Sequence, residues 1–142
     1  MKAVVLEEPR GIERLKLKKA AIPDAGKGDV LVQLKASALN HQDIWIVHGL
    51  YARIVLHIIL GSDSAGVIHK VGEGVSPEWL NKKVVINPGL DWGIDPISQH
   101  SSFRILGMPD NGTQAKYIRI PGRILWKKPS NPTWEEAAAI PL

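Results

Sequence analysis

The stretch LGSDSAGVIHKVGEGV at 60–75 gathers groups that chemistry uses: glycines at 61, 66, 72 and 74, an aspartate between two serines, and a histidine at 69. It could cradle a phosphate, ligate a metal, or turn the chain between two strands. A phosphate loop aims backbone N–H groups at one anion and follows its glycines with Lys-Ser/Thr or with a helix N-terminus. Gly61 and Gly66 have the gap of such a loop, but Val67 and Ile68 occupy the places of Lys and Ser/Thr. Gly72 and Gly74 begin a G-x-G, and Pro77 stands where the third glycine belongs. The spacing speaks against a phosphate site and leaves metal site or turn open.

The elements that must position these groups are mostly strands. In DVLVQLKAS (29–37), Val30, Val32, Leu34 and Ala36 alternate with polar residues, the pattern of a strand with one buried face. RLKLKK (14–19) repeats it with Leu15 and Leu17, and further strands are expected at 2–6, 65–72, 83–87, 115–120 and 124–127, divided by Gly, Pro, Asp and Asn. Many short strands suggest an antiparallel sandwich or a partly open barrel. Two segments read as helices. HQDIWIVHG follows Asn40, a good N-cap residue, and carries Asp43 in its first turn, where a carboxylate suits the helix dipole. TWEEAAAIPL (133–142) has Thr133 and Glu136 at capping-box spacing. The stretch 88–112 has neither period and reads as a lobe or loop.

Composition narrows the functional classes. A chain of 142 residues suits one domain able to bury roughly 68–70% of its unfolded surface. No cysteine is present, so neither a disulfide framework nor a thiolate metal site is available, and a reducing compartment is compatible. Met1 opens directly onto KAVVL with no basic-then-apolar leader, which leads us to expect a cytoplasmic protein. The apolar run 54–60 falls far short of the roughly 20 residues of a spanning helix, so no membrane role is expected. The net charge is +4, and basic residues cluster at Arg104, Lys116, Arg119, Arg123, Lys127 and Lys128. They alternate with apolar residues as on the wet side of a strand, without a nucleic-acid motif, so no nucleic-acid partner is expected.

Read in order, MKAVVLEEPRG, GDVLVQLKASALNHQD, GSDSAGVIHKVGEGV, KKVVINPG, NGTQAKYIRIP and WEEAAAIPL resemble the N-terminal catalytic domain of the medium-chain dehydrogenase/reductase family. That family includes zinc alcohol dehydrogenases and zinc-free quinone oxidoreductases. The resemblance covers essentially the whole chain. It implies a mainly β, GroES-like, partly open antiparallel barrel with a few short helices over 1–142, a lobe at 88–112, and at 133–142 the start of a linker. It also implies a Rossmann domain, outside this chain, that binds NADP or NAD; no G-x-G-x-x-G follows a strand here. A homodimer is a possible assembly for such a protein.

The resemblance also bears on metal. At the positions where zinc alcohol dehydrogenases carry a catalytic cysteine and a histidine, this chain has Asn40 and Ser62. Catalytic zinc takes three strong protein donors and an open position, so no catalytic zinc is expected. The lobe segment LDWGIDPISQHSSF (90–103) lacks the cysteines of the family's structural zinc site. Asp91, Asp95 and His100 read as surface, with Trp92 and Phe103 as packing anchors. His69 reads as surface too, and Ser62 and Asp63 as hydrogen-bonded within their own turn.

What the resemblance leaves is a zinc-independent cleft. Asn40, Asp43, Trp45 and Tyr51 match the segment that lines the substrate side in the quinone oxidoreductase branch, while Asn40, His41 and Gln42 lie toward the nicotinamide. Gln42 replaces a hydroxyl residue of the zinc enzymes' proton relay, and Ala52-Arg53-Ile54 departs from the branch's proline-rich turn. Tyr51 Oη and the Asn40 amide would polarise a quinone or enone oxygen, with Trp45 as a flat wall. Asp43 has a structural reading as well, as a first-turn carboxylate. Alternative readings are a zinc-type alcohol dehydrogenase relative with displaced ligands and a non-catalytic binding module built on the same barrel.

Overall fold

The computed structural model describes residues 1–8 and 10–141; Pro9 of the opening motif and Leu142 of the expected last helix lie outside them. In chain order the elements are β1 (Lys2–Leu6), β2 (Leu15–Lys19), β3 (Asp29–Ser37), α1 (His41–Val47), β4 (Ile58–Ile59), β5 (Ser64–Val71), β6 (Lys83–Ile86), β7 (Gly89–Leu90), β8 (Arg104–Leu106), β9 (Pro109–Asp110), β10 (Tyr117–Pro121), β11 (Leu125–Lys127) and α2 (Trp134–Ala138). The chain is mainly β, and its sheets do not close, as a partly open GroES-like barrel requires.

The main sheet has the order β10-β3-β5-β6-β11, antiparallel throughout. Its inward alternation delivers Val30, Val32, Ile68, Val84, Ile86, Ile118 and Ile120 to one core. Each such side chain contributes roughly 1.5–3 kcal/mol on leaving water. Leu31 is buried as well, so β3 is covered on both faces along its first half. Register shifts between Leu31 and Val32 and between Leu34 and Ala36 bend β3 around β5. Gly66 permits that approach: a Cβ there would collide with the Gln33 carbonyl oxygen.

A second sheet, β2-β1-β4, covers a smaller core of Leu6, Ile46, Val47, Ile58, Leu60 and Met108. Leu17, expected on the buried face of its strand, is 67% exposed: β2 is an edge strand, and its Leu15 is the leucine that packs against the smaller core. The stretch 88–112 is not wholly irregular: β7, β8 and β9 form a third small sheet, with β8 and β9 parallel. Strands of two or three residues are too short to show a period. The last helix is also shorter than its expected segment, ending at Ala138. No described helix is long and apolar enough to cross a membrane.

Candidate functional site

Two chain segments meet at the N-terminus of α1. Asn40, in extended conformation, is its N-cap residue, and Asp43 sits one turn in. Asp43 is 7% exposed. Its Oδ2 accepts the Asn40 backbone N–H at 2.9 Å, and its Oδ1 accepts the Gly61 N–H at 3.0 Å. One carboxylate thus holds the α1 entry against the loop that leads into β5. Burial pushes this carboxyl above the usual carboxylate range, and the N–H bonds from Asn40 and Gly61 pull against that shift.

The clamp places the next residues. Asn40 Nδ2 donates to Ser62 Oγ at 2.9 Å. Gly61 holds the loop at φ +91, and a Cβ there would stand 2.6 Å from Thr113 Oγ1. The Asp63 carbonyl oxygen accepts from Ala38 N at 3.0 Å, Ser37 Oγ at 3.1 Å and Thr113 Oγ1 at 3.2 Å. The Ser37 and Thr113 hydroxyls are also 2.7 Å apart, and with one proton each they make two of these three O–H contacts at a time. Ser62, Asp63 and Thr113 are all buried.

The residues singled out in the sequence are therefore only partly united. Asn40, Asp43 and Ser62 form one network, and Ser62 reaches out to Asn40 instead of bonding within its own turn. His41 is exposed and Gln42 half-buried. Trp45, 52% exposed, lies with its ring centroid 6.4 Å from that of His41. With Leu39, Ile44 and Leu50, all exposed, Trp45 leaves the outer face of the α1 region apolar. Tyr51 is not joined to the network; its ring packs on the smaller core beside Ile54. Two clefts of about 630 and 450 Å³ lie elsewhere, one along β10 and the β8–β9 turn and the other along β11, and neither is lined by Asn40 or Ser62.

The other candidates sit apart. His69 is exposed, with its ring 5.2 Å from that of Tyr117. In the lobe, Asp91 is bound by Arg104 and Arg123, and Arg104 also binds Asp110. Asp95 accepts from Ile97 N and Ser98 Oγ, and His100 Nδ1 is 2.7 Å from Ser102 Oγ. Trp92 packs edge-on against Phe103 at 5.0 Å. Among the described residues, no group of three or more His, Cys, Asp or Glu is placed to hold a metal ion.

The resemblance sets Asn40 and Ser62 at the two zinc-ligand positions of one site; what sequence reasoning missed is the hydrogen bond between them and the Ser37–Thr113 link. The partners lie 22 and 76 residues apart, and no local pattern reveals contacts of that range.

Comparison with known proteins bears on what this geometry serves. Residues 26–130 match the alcohol dehydrogenase GroES-like domain family. A zinc-type alcohol dehydrogenase-like protein of Schizosaccharomyces pombe is 34% identical over 99% of this chain, and a trans-enoyl reductase of Aspergillus terreus is 33% identical over 99%. The chain spans 41% and 43% of the lengths of these two relatives. A crystal structure of an NAD-dependent alcohol dehydrogenase superposes with a TM-score of 0.93 and 40% identity, covering 100% of this chain and 43% of its own. From the matched residues and the shared fold, the chain belongs to the alcohol dehydrogenase GroES-like domain family, within the medium-chain dehydrogenases/reductases.

Proposed function

We propose that this chain is the substrate-side half of an NAD(P)H-dependent oxidoreductase that reduces enones, quinones or related carbonyls by hydride transfer without zinc. The observation that carries this reading is the 2.9 Å hydrogen bond from Asn40 Nδ2 to Ser62 Oγ. Where a zinc enzyme needs strong anionic or imidazole donors, these two positions hold neutral groups already engaged with each other. That donor set does not fit zinc. The spans of 41% and 43% support a nicotinamide-binding Rossmann domain beyond this half, and the similarity to a trans-enoyl reductase favours an enone as acceptor.

A bound reduced nicotinamide supplies the hydride. This chain's own groups then have three tasks. The second N–H of the Asn40 amide donates to the acceptor's oxygen, where charge grows. Trp45 and the apolar residues around it seat a flat substrate and exclude water. His41 and Gln42, with Asn40, face the nicotinamide. Tyr51 Oη is a second donor to the substrate, and Asp43 keeps the Asn40 and Gly61 segments in register.

The test is NADPH oxidation with 2-cyclohexenone by the protein carrying its nicotinamide domain, before and after treatment with a zinc chelator. Turnover that survives chelation supports the proposal, and turnover that is lost and then restored by zinc contradicts it. Tyr51→Phe should slow that turnover several-fold or more; unchanged kinetics would remove Tyr51 from the site. The 142-residue chain alone should oxidise little or no NAD(P)H.

A further inference from the structure

We propose that Ser62 is a further catalytic residue: its hydroxyl, polarised by the Asn40 amide, donates a hydrogen bond to the carbonyl oxygen of the substrate. This deepens the proposed function and rests on it. Ser62 is 2% exposed, and its Oγ accepts one N–H of Asn40. Its own proton has no acceptor among the described residues. A buried hydroxyl that accepts a hydrogen bond and still has a proton to give is set up to donate to an acceptor from outside. Two acceptors on the same segments are engaged by others. Asp43 takes the Asn40 and Gly61 N–H groups, and the Asp63 carbonyl takes Ala38, Ser37 and Thr113.

Donation into a hydroxyl oxygen strengthens the same hydroxyl as a donor, because bonds in a chain polarise one another. Asn40 therefore acts twice in this proposal, through Ser62 and through its own second N–H, with both donors serving one ligand oxygen. In the reaction, a hydride with its electron pair adds to the carbonyl carbon, or to the β-carbon of an enone. The π pair moves onto oxygen, the nicotinamide is oxidised, and the acceptor is reduced by two electrons. Ser62 stabilises the charge on that oxygen until water delivers the proton. The ligand class is thus a carbonyl compound whose oxygen becomes anionic; an alkene without a conjugated carbonyl gives the pair nothing to hold.

Two measurements test the role. The first uses the 142-residue chain and 4-nitrophenol, whose phenolate mimics the anionic oxygen and whose absorbance reports ionisation. The expected result is binding of phenolate over phenol by about tenfold, a fall of about one unit in the bound pKa, with the shift lost in Ser62→Ala. The second is turnover of 2-cyclohexenone by the protein with its nicotinamide domain, where Ser62→Ala should lower kcat about 10²-fold with little change in KM. A Ser62→Ala variant that keeps both the phenolate shift and kcat overturns the inference and leaves the oxidoreductase reading in place. A phenolate shift that depends on Ser62, with no hydride transfer to any carbonyl, supports the donor pair and overturns the oxidoreductase reading. Should Ser62→Ala fail to fold, Ser62→Cys decides, since a thiol is somewhat larger than the hydroxyl, fills the site and donates only weakly.

Discussion

Asp43 holds the backbone N–H groups of Asn40 and of Gly61, the latter 18 residues along the chain from the carboxylate, and the geometry of Asn40 and Ser62 follows from that clamp. Replacing it with alanine leaves a buried donor, the Gly61 N–H, and a part-buried one, the Asn40 N–H, without this acceptor. Asp43→Ala should lose about 2–4 kcal/mol of stability, measured by urea unfolding. The pH dependence has a definite sign. The folded state holds the Asp43 proton more tightly than the unfolded state, because burial raises its pKa. Its contribution to stability is therefore fully present below the ordinary carboxylate value and declines as pH rises through the raised one. In Asp43→Asn that decline should be absent from melts recorded between about pH 3.5 and 6.5; an identical decline in both proteins would show that another group causes it. At this scale the sequence was legible where a residue's own element explains it. Asp43 in the first turn of α1 suits the helix dipole, but its reach to Gly61 depends on a fold-level meeting that spacing does not encode.

Elements translated from sequence according to their length. β3 spans 29–37 as its alternation predicts, and the Thr133–Glu136 box caps α2 in both directions, with Glu136 N to Thr133 Oγ1 at 3.2 Å and Thr133 N to Glu136 Oε2 at 2.7 Å. Thr133→Ala should cost about 1 kcal/mol, seen as a lowered melting temperature. β4, β7 and β9 have two residues each and β8 has three, and they exist only because neighbouring strands supply partners. The loop before β5 is sensitive for a different reason. Gly61 combines φ +91 with Thr113 Oγ1 at 2.6 Å from any added Cβ, so Gly61→Ala should destabilise by roughly 2–4 kcal/mol and disturb Ser62 beside it. A variant as stable as the parent would show that this loop adapts freely. The glycines of 60–75 thus serve a turn and a close strand approach.

For the whole molecule, the lobe shows how a chain without cysteine holds an extended excursion. Arg104 and then Arg123 hold the Asp91 carboxyl below its usual range, so their contribution is present above the ordinary carboxylate pKa and is lost as pH falls through the lowered value. Asp91→Asn should make 91–103 more susceptible to limited proteolysis at neutral pH, and added salt should do the same to the parent chain. Equal cleavage of parent and variant would leave Trp92 and Phe103 as the main anchors. The family and the mainly β fold were legible because their motifs run in order along the whole chain. A cleft at the proposed site was not, since the Asn40–Ser62 face lines neither of the two clefts described above. The central claim, that Asn40 and Ser62 polarise an acceptor as a neutral hydrogen-bonded pair, is most directly tested by diffraction at the zinc absorption edge from crystals grown with excess zinc. The expected result is no anomalous peak within bonding distance of either side chain. A peak near full occupancy bonded to Asn40 and Ser62 would contradict it.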